Sequence, residues 1–185
     1  MAGVVDAMSA IHSNKHAVTA MNDNLSISYK NVNALKDSLG RPVDTEIRDA
    51  VAILNAIGFP TTDSCEGHLP GEEEGHYYPY VEICAPEPAG WEDNEAVEKQ
   101  WRLENLKLQK HLLALLEEFY QDHMSNYSAQ LTLRYIGAIG AFRIQSIGGE
   151  IMELSEPGEL AETREQYRNE LNRFITFLKN KYFPG

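Results

Sequence analysis

The chain has 185 residues, of which 43% are hydrophobic and 24% charged, and its 16 basic and 28 acidic side chains leave a net charge of -12. That size and balance fit a globular chain with a true core and exclude a fibrous repeat or wholesale disorder. The acidic excess opposes direct nucleic-acid or anionic-membrane binding, because affinity for a polyphosphate comes largely from neutralised phosphates.

An acidic surface suits a basic protein partner, or solubility alone. Cys65 and Cys84 are the only cysteines, and the N-terminus has no apolar run of the length that a secretory signal or a membrane span requires. The expected location is therefore cytoplasmic, with both thiols reduced.

Residues 1–30 are rich in Ala, Ser, Asn and Met, with turn chemistry at Asn22-Asp23-Asn24, and read as a loosely ordered N-terminal arm. His12 and His16, one helical turn apart, read as solvated. Residues 31–185 are expected to form a single α+β domain. After Arg41-Pro42, Asp44 is the expected N-cap of a helix over 44–57, with Ile47, Ala50, Val51, Leu54 and Ile57 on one apolar face and Gly58 closing it. Phe59-Pro60 forces an extended exit, and Thr61-Thr62 continue as a strand.

The loop Pro70-Gly71-Glu72-Glu73-Glu74-Gly75 leads to a returning strand over 76–84, which Pro79 places at a sheet edge or a bulge. Tyr80, Glu82 and Cys84 should share one face of it. Residues 85–90 read as a stiff linker. A long helix over 93–124 follows, with Val97, Trp101, Leu108, Leu112, Leu115 and Phe119 on its stripe.

Two alternating strands, 130–135 and 141–146, are joined through Gly137-Ala138-Ile139-Gly140, which predicts a hairpin. Leu131, Leu133, Tyr135, Phe142 and Ile144 should face the helices, leaving Thr132, Arg134, Arg143 and Gln145 on the other side. A short strand over 150–154 and a final helix over 159–182 complete the chain. The expected architecture is a small, mostly antiparallel sheet covered by two or three helices.

The chemistry-bearing residues concentrate in Thr61-Thr62-Asp63-Ser64-Cys65-Glu66-Gly67-His68, where a thiol and an imidazole three residues apart can converge if the backbone turns at Gly67. One reading is nucleophilic or acid/base catalysis by Cys65 with His68 or His76, with Glu66 or Asp63 orienting the imidazole. Another is a zinc site formed by Cys65, His68, His76 and Cys84, since thiolate and imidazole are the ligands zinc prefers. A third is an anion held by Arg134 and Arg143 on adjacent strands. The bland form of that last reading pairs the two guanidiniums with Glu66, Glu82 or a carboxylate of the final helix.

The run Gly58 to His68, followed by Tyr78-Pro79-Tyr80-Val81-Glu82-Ile83, resembles a set of uncharacterised bacterial and phage proteins with a Thr-Thr-x-Ser-Cys-Glu-Gly-His signature, over residues 44–84. That resemblance implies no activity. More remotely, the helix, strand and Ser-Cys-x-Gly turn are similar to the opening of the tRNA wybutosine-synthesis methyltransferase family, matching at Ser64, Cys65 and Gly67 and departing at Glu66 and His68. It implies S-adenosylmethionine chemistry on tRNA, which the charge of -12 opposes.

The leading expectation is a small-molecule or nucleotide-binding or processing protein, its pocket built from Thr62, Ser64, Cys65, Glu66, His68 and Arg134 or Arg143, with the reaction type open. Two alternatives are a non-enzymatic acidic interaction protein, such as a phage or plasmid inhibitor occupying a basic nucleic-acid site on its target, and a zinc-stabilised adaptor.

Overall fold

Residues 21–36, 40–72 and 75–184 are described in the computed structural model. Among them are four helices and one four-stranded antiparallel sheet, the expected α+β class. Residues 1–20, with His12 and His16, lie outside the described residues, as do Glu73 and Glu74.

Helix α1 spans residues 21–34, where a loose arm was expected through residue 30. Met21, Leu25, Tyr29 and Val32 recur at three- and four-residue steps and pack on the main core, so burial of this stripe outweighs the turn preference of Asn22-Asp23-Asn24. Buried Ser28 is satisfied by donating its hydroxyl to the Ala52 carbonyl at 2.7 Å.

Helix α2, Arg48–Ala56, follows a single 3-10 turn, Thr45–Ile47. Ala50, Val51, Ala52, Ile53 and Leu54 are all buried, so more of this helix is covered than the one expected face, with Asp49 left exposed on the other side. It ends in a Schellman motif: Phe59 N–H bonds the Leu54 carbonyl at 2.9 Å and Gly58 N–H bonds Asn55 at 3.1 Å, with Gly58 at φ +93. The chain then enters β1, Thr61–Cys65, and returns as β2, Tyr80–Ile83.

Helix α3, Glu95–Asp122, is capped by the Asn94 side chain and is followed by the hairpin strands β3, Leu131–Ile136, and β4, Ala141–Ser146. Helix α4, Pro157–Tyr182, closes the described chain. The sheet order is β1-β2-β4-β3, and Val81, Ile83, Leu131, Phe142 and Ile144 join Phe59, Phe119 and Phe174 in the core shared with the helices. No helix among the described residues is long and apolar enough to cross a membrane.

Four local expectations are corrected. Strand β2 lies inside the sheet, so Pro79 marks neither an edge nor a bulge but the residue before the strand, where no ladder bond is lost. Tyr135 is 66% exposed, because β3 is an edge strand and the ring stands at the outer margin of the sheet. Residues 152–154 form a 3-10 turn rather than a strand: Gly148 and Gly149 press against Tyr167 and Tyr78, and a Cβ on either would collide there. Asp44 caps no helix through its side chain; its carboxylate is used elsewhere, as described next.

Candidate functional site

The site begins with an irregularity in β1. Thr61 pairs with Ile83, but Asp63 pairs with Glu82 and Cys65 with Tyr80, so one extra residue is inserted at Thr62. A one-residue slip reverses which face every later side chain takes. Thr61 accordingly faces α2, where its hydroxyl accepts from Asn55 Nδ2 at 2.6 Å, whereas Asp63 and Cys65 are turned to the polar face beside Tyr80, Glu82 and Arg143. Without the bulge Cys65 would point into the apolar core.

The same register separates the two cysteines. Cys84 lies one residue past β2, beside Pro60, whose carbonyl its N–H bonds at 3.1 Å. Four residues along a strand put it about 14 Å from the Cys65 end. It packs with Ala85, Trp101 and Ala141, so the four-ligand set Cys65, His68, His76 and Cys84 is not brought together.

After Cys65 the chain turns at Gly67, whose φ of +83 favours glycine and whose position against the Tyr77 carbonyl leaves about no room for a side chain, an added Cβ standing 3.0 Å from that oxygen. Gly67 N–H points at Cys65 Sγ over 3.4 Å, and His68 N–H bonds the His76 carbonyl at 2.8 Å. Arg168, on α4, clamps the turn from outside: its Nε donates to the Glu66 carbonyl at 2.7 Å and its Nη2 to the Gly67 carbonyl at 2.9 Å. Arg164, one helical turn earlier, reaches Glu72 at 2.6 Å, and the same Glu72 oxygen accepts Leu69 N–H at 2.7 Å.

Glu66 takes a structural part in this arrangement. Its Oε2 accepts Glu46 N–H at 2.9 Å, the service to the first turn expected of Asp44, and its Oε1 lies 3.4 Å from Arg168. Asp44 is thereby released to the site. Its Oδ2 accepts Glu66 N–H at 3.2 Å and lies 3.3 Å from His68 Nε2. Asp44, Cys65 and His68 each present a ligating atom, all within 4.8 Å of one another.

Cys65 is 5% exposed. Burial pushes its thiol up, against the smaller downward pull of hydrogen bonds with Gly67 and His76, and Asp44 and Asp63 push it up further. An activated nucleophile needs the opposite setting, a cation or donors that favour the thiolate. The cluster therefore holds a protonated thiol at neutral pH, or a thiolate only where a bound cation supplies the missing positive charge.

The remaining expected residues lie one layer away. Arg143 pairs with Glu82 at 3.2 Å, approaches Asp63 at 3.7 Å, stacks over the Tyr80 ring at 4.1 Å and meets His76 Nε2 at 3.4 Å. His76 thus faces Arg143, while its carbonyl serves the turn. Arg134 stands directly opposite Arg143 in the ladder but bonds Glu150 at 2.7 Å. The ion-pair reading of the two arginines describes this arrangement, with Glu82 in the place expected and Glu150 as a partner the sequence reading did not name.

Thr62 donates to Glu82 at 3.2 Å, and Tyr80 donates its hydroxyl to Asp63 at 2.7 Å. Thr62 and Ser64 line a cleft of about 320 Å³ beside β1, together with Lys36, Arg41, Asp44, Cys65, His68, Gly75 and Tyr80; Arg134 and Arg143 do not line it. A second cleft of about 450 Å³ opens on the far side of Pro42-Val43-Asp44, among Arg48, Glu66, Arg164 and Arg168. Asp44 and His68 border both.

Asp44, Gly75, Tyr80, Arg164 and Arg168 are the participants that sequence reasoning missed. Only the arginines left a legible signal, two cations four residues apart flanking the buried Tyr167. The chain matches no protein-family model, no curated protein and no solved structure.

Proposed function

We propose that the chain binds, and in that setting processes, a polar small molecule of metabolite or nucleotide size in the cleft beside β1. The observation that supports the reading is the lining of that cleft, which takes in the whole of β1 together with Lys36, Asp44 and His68. Its volume of about 320 Å³ lies at the small end of ligand sites, which span roughly 300–1,000 Å³. Strand β1 is a sheet edge, so it offers backbone donors and acceptors beside the hydroxyls of Thr62 and Ser64.

The test is a thermal-shift screen of nucleoside phosphates, sugar phosphates, amino acids and dicarboxylates on the wild type and on Ser64→Leu, which adds bulk to the cleft while keeping Asp44, Cys65 and His68 themselves. A ligand at a hundredfold excess over its Kd adds about 2.7 kcal/mol, which for a chain of this size is a rise in Tm of about 5–10 °C. Ser64→Leu should abolish most of that rise. No stabilising compound in any class, or an equal response from the variant, would sink the reading.

A further inference from the structure

We propose that Asp44, Cys65 and His68 form a three-ligand site for a divalent transition-metal ion of the zinc class, its fourth coordination position open to the cleft beside β1. The ligand set is one carboxylate, one thiolate and one imidazole, each a donor that zinc accepts. Geometry supports it independently. For two N or O donors about 2.05 Å from a tetrahedral ion the expected separation is about 3.3 Å, and His68 Nε2 stands 3.3 Å from Asp44 Oδ2. The sulfur lies within 4.8 Å of both atoms, and closing to the roughly 3.6 Å that a zinc-bound sulfur keeps from an N or O ligand would complete the triangle.

The surroundings are those of ligands held in place. Gly67 N–H points at the sulfur, the outer interaction that steadies a bound thiolate. The Asp44 carboxylate is oriented by Glu66 N–H, and Gly67 itself is clamped by Arg168. Gly75 closes over the group so tightly that a Cβ there would overlap the His68 ring and come within 3.3 Å of Cys65 Sγ. Three of the neighbouring arginines are directed to other acceptors: Arg164 to Glu72, Arg168 to Glu66 and Gly67, and Arg143 to Glu82. An ion binding here would displace the thiol proton and leave a net-neutral set of ligands and charge.

All three ligands border the cleft, which is the arrangement of a metal that keeps one position for water or an incoming oxygen or nitrogen donor, as opposed to a four-ligand structural site. The open position rests on the reading of the cleft as a ligand site; the three-ligand set does not.

The test uses the full chain purified without chelator. Metal analysis should find a single zinc ion per chain after gel filtration. Replacing it with cobalt(II) should produce the strong visible bands of a tetrahedral site and a near-ultraviolet thiolate-to-cobalt charge-transfer band. Cys65→Ser should remove the charge-transfer band, and Cys84→Ser should keep it. Asp44→Asn, checked for folding by circular dichroism, should weaken zinc binding by about tenfold or more. Azide should shift the visible bands if the fourth position is open.

Zinc below about a tenth of an equivalent, with no cobalt band on titration, overturns the site. A charge-transfer band that survives Cys65→Ser overturns the cysteine assignment, and unchanged zinc affinity in Asp44→Asn overturns that of Asp44. Unmoved bands with azide overturn the open position. A chain that binds zinc as described yet is stabilised by no compound in the thermal screen sinks the small-molecule reading and leaves the metal; the reverse result sinks the metal alone.

Discussion

The two ends of the β1–β2 hairpin carry one cysteine each, both buried and both with the thiol pushed up chiefly by burial, yet their surroundings differ in kind. Cys84 is enclosed by Trp101, Ala85 and Ala141 and is met by the Asn105 amide at 3.7 Å. Cys65 also belongs to a buried cluster, with Tyr78, Tyr80, Leu160 and Tyr167, but it meets in addition the Gly67 N–H, the His76 carbonyl, His68 and Asp44. Burial alone therefore does not separate a packing cysteine from a ligating one. What separates them is the kind of polar group nearby: at Cys84 one amide spent on two backbone groups, at Cys65 a carboxylate and an imidazole whose ligating atoms lie within 4.8 Å of the sulfur and of each other.

The sharpest way to break this contrast is at the Cys84 end. Asn105 is fully buried; its Oδ1 accepts Ala85 N–H at 2.7 Å and its Nδ2 donates to the Ile139 carbonyl at 3.0 Å. Asn105→Ala leaves both backbone groups without partners and should cost about 2–4 kcal/mol in urea unfolding, with the response at the Cys65 end unchanged. A loss below about 0.5 kcal/mol, within the range of ordinary surface substitutions, would show that the Cys84 end is not held as described.

Next in size is Arg168→Met, which keeps the aliphatic stem and removes the donors to the Glu66 and Gly67 carbonyls. Hydrogen bonds to a charged group contribute about 1.5–3 kcal/mol, and partial access of water reduces what is lost here. A destabilisation of about 1–2 kcal/mol is expected, together with faster amide hydrogen exchange confined to residues 66–69. Exchange that rises evenly over the chain would mean that the clamp is not local.

This contrast explains what the sequence showed and what it concealed. Strands β3 and β4 and helices α2, α3 and α4 were legible because their apolar residues recur at the strand or helix period, and β1 because Phe59-Pro60 ends the helix and forces an extended exit. The facing of Arg134 and Arg143 was legible for the same reason. The bulge at Thr62 was not, since nothing in Thr61-Thr62-Asp63 marks an extra residue; it is set by the pairing of both ends of β1 with β2. Asp44 was misread because it stands where a helix cap belongs, and only the tertiary approach of Glu66 to Glu46 N–H takes that task over. Cys84 was misread because spacing along a chain says nothing about the 14 Å or so that a hairpin inserts between its ends.

Gly75→Ala sharpens the Cys65 side. The added methyl overlaps the His68 ring, and because a side chain rather than a backbone gives way, the expected cost is about 1 kcal/mol. The larger effect should be on the site: the ring must swing from Asp44, so any stabilisation by zinc should fall while Asn105-dependent stability stays constant. Wild-type zinc response in this variant would mean that His68 is not confined as the structure places it.

The smallest expected effect concerns the wall of the cleft. Helix α1 leads into Lys36 at that wall and is tied to α2 by the Tyr29 hydroxyl, which donates to Asp49 Oδ1 at 3.2 Å. Burial, with the Asp49 carboxylate adding to it, pushes the Tyr29 phenol up to about 12 from an unfolded value near 10. Between those values the folded chain keeps a proton that the unfolded chain has released, so stability falls as pH rises. The contribution is complete below about pH 10 and is lost as pH climbs through about 12. Tyr80, Tyr120 and Tyr167 shift in the same direction, so the wild type alone cannot isolate it. The gap in urea midpoint between wild type and Tyr29→Phe can: it should be constant from pH 7 to about 9 and narrow above 10. A gap that stays constant to pH 12 would mean that the α1–α2 contact does not hold Tyr29 beside Asp49, and the wall carrying Lys36 would then be looser than β1.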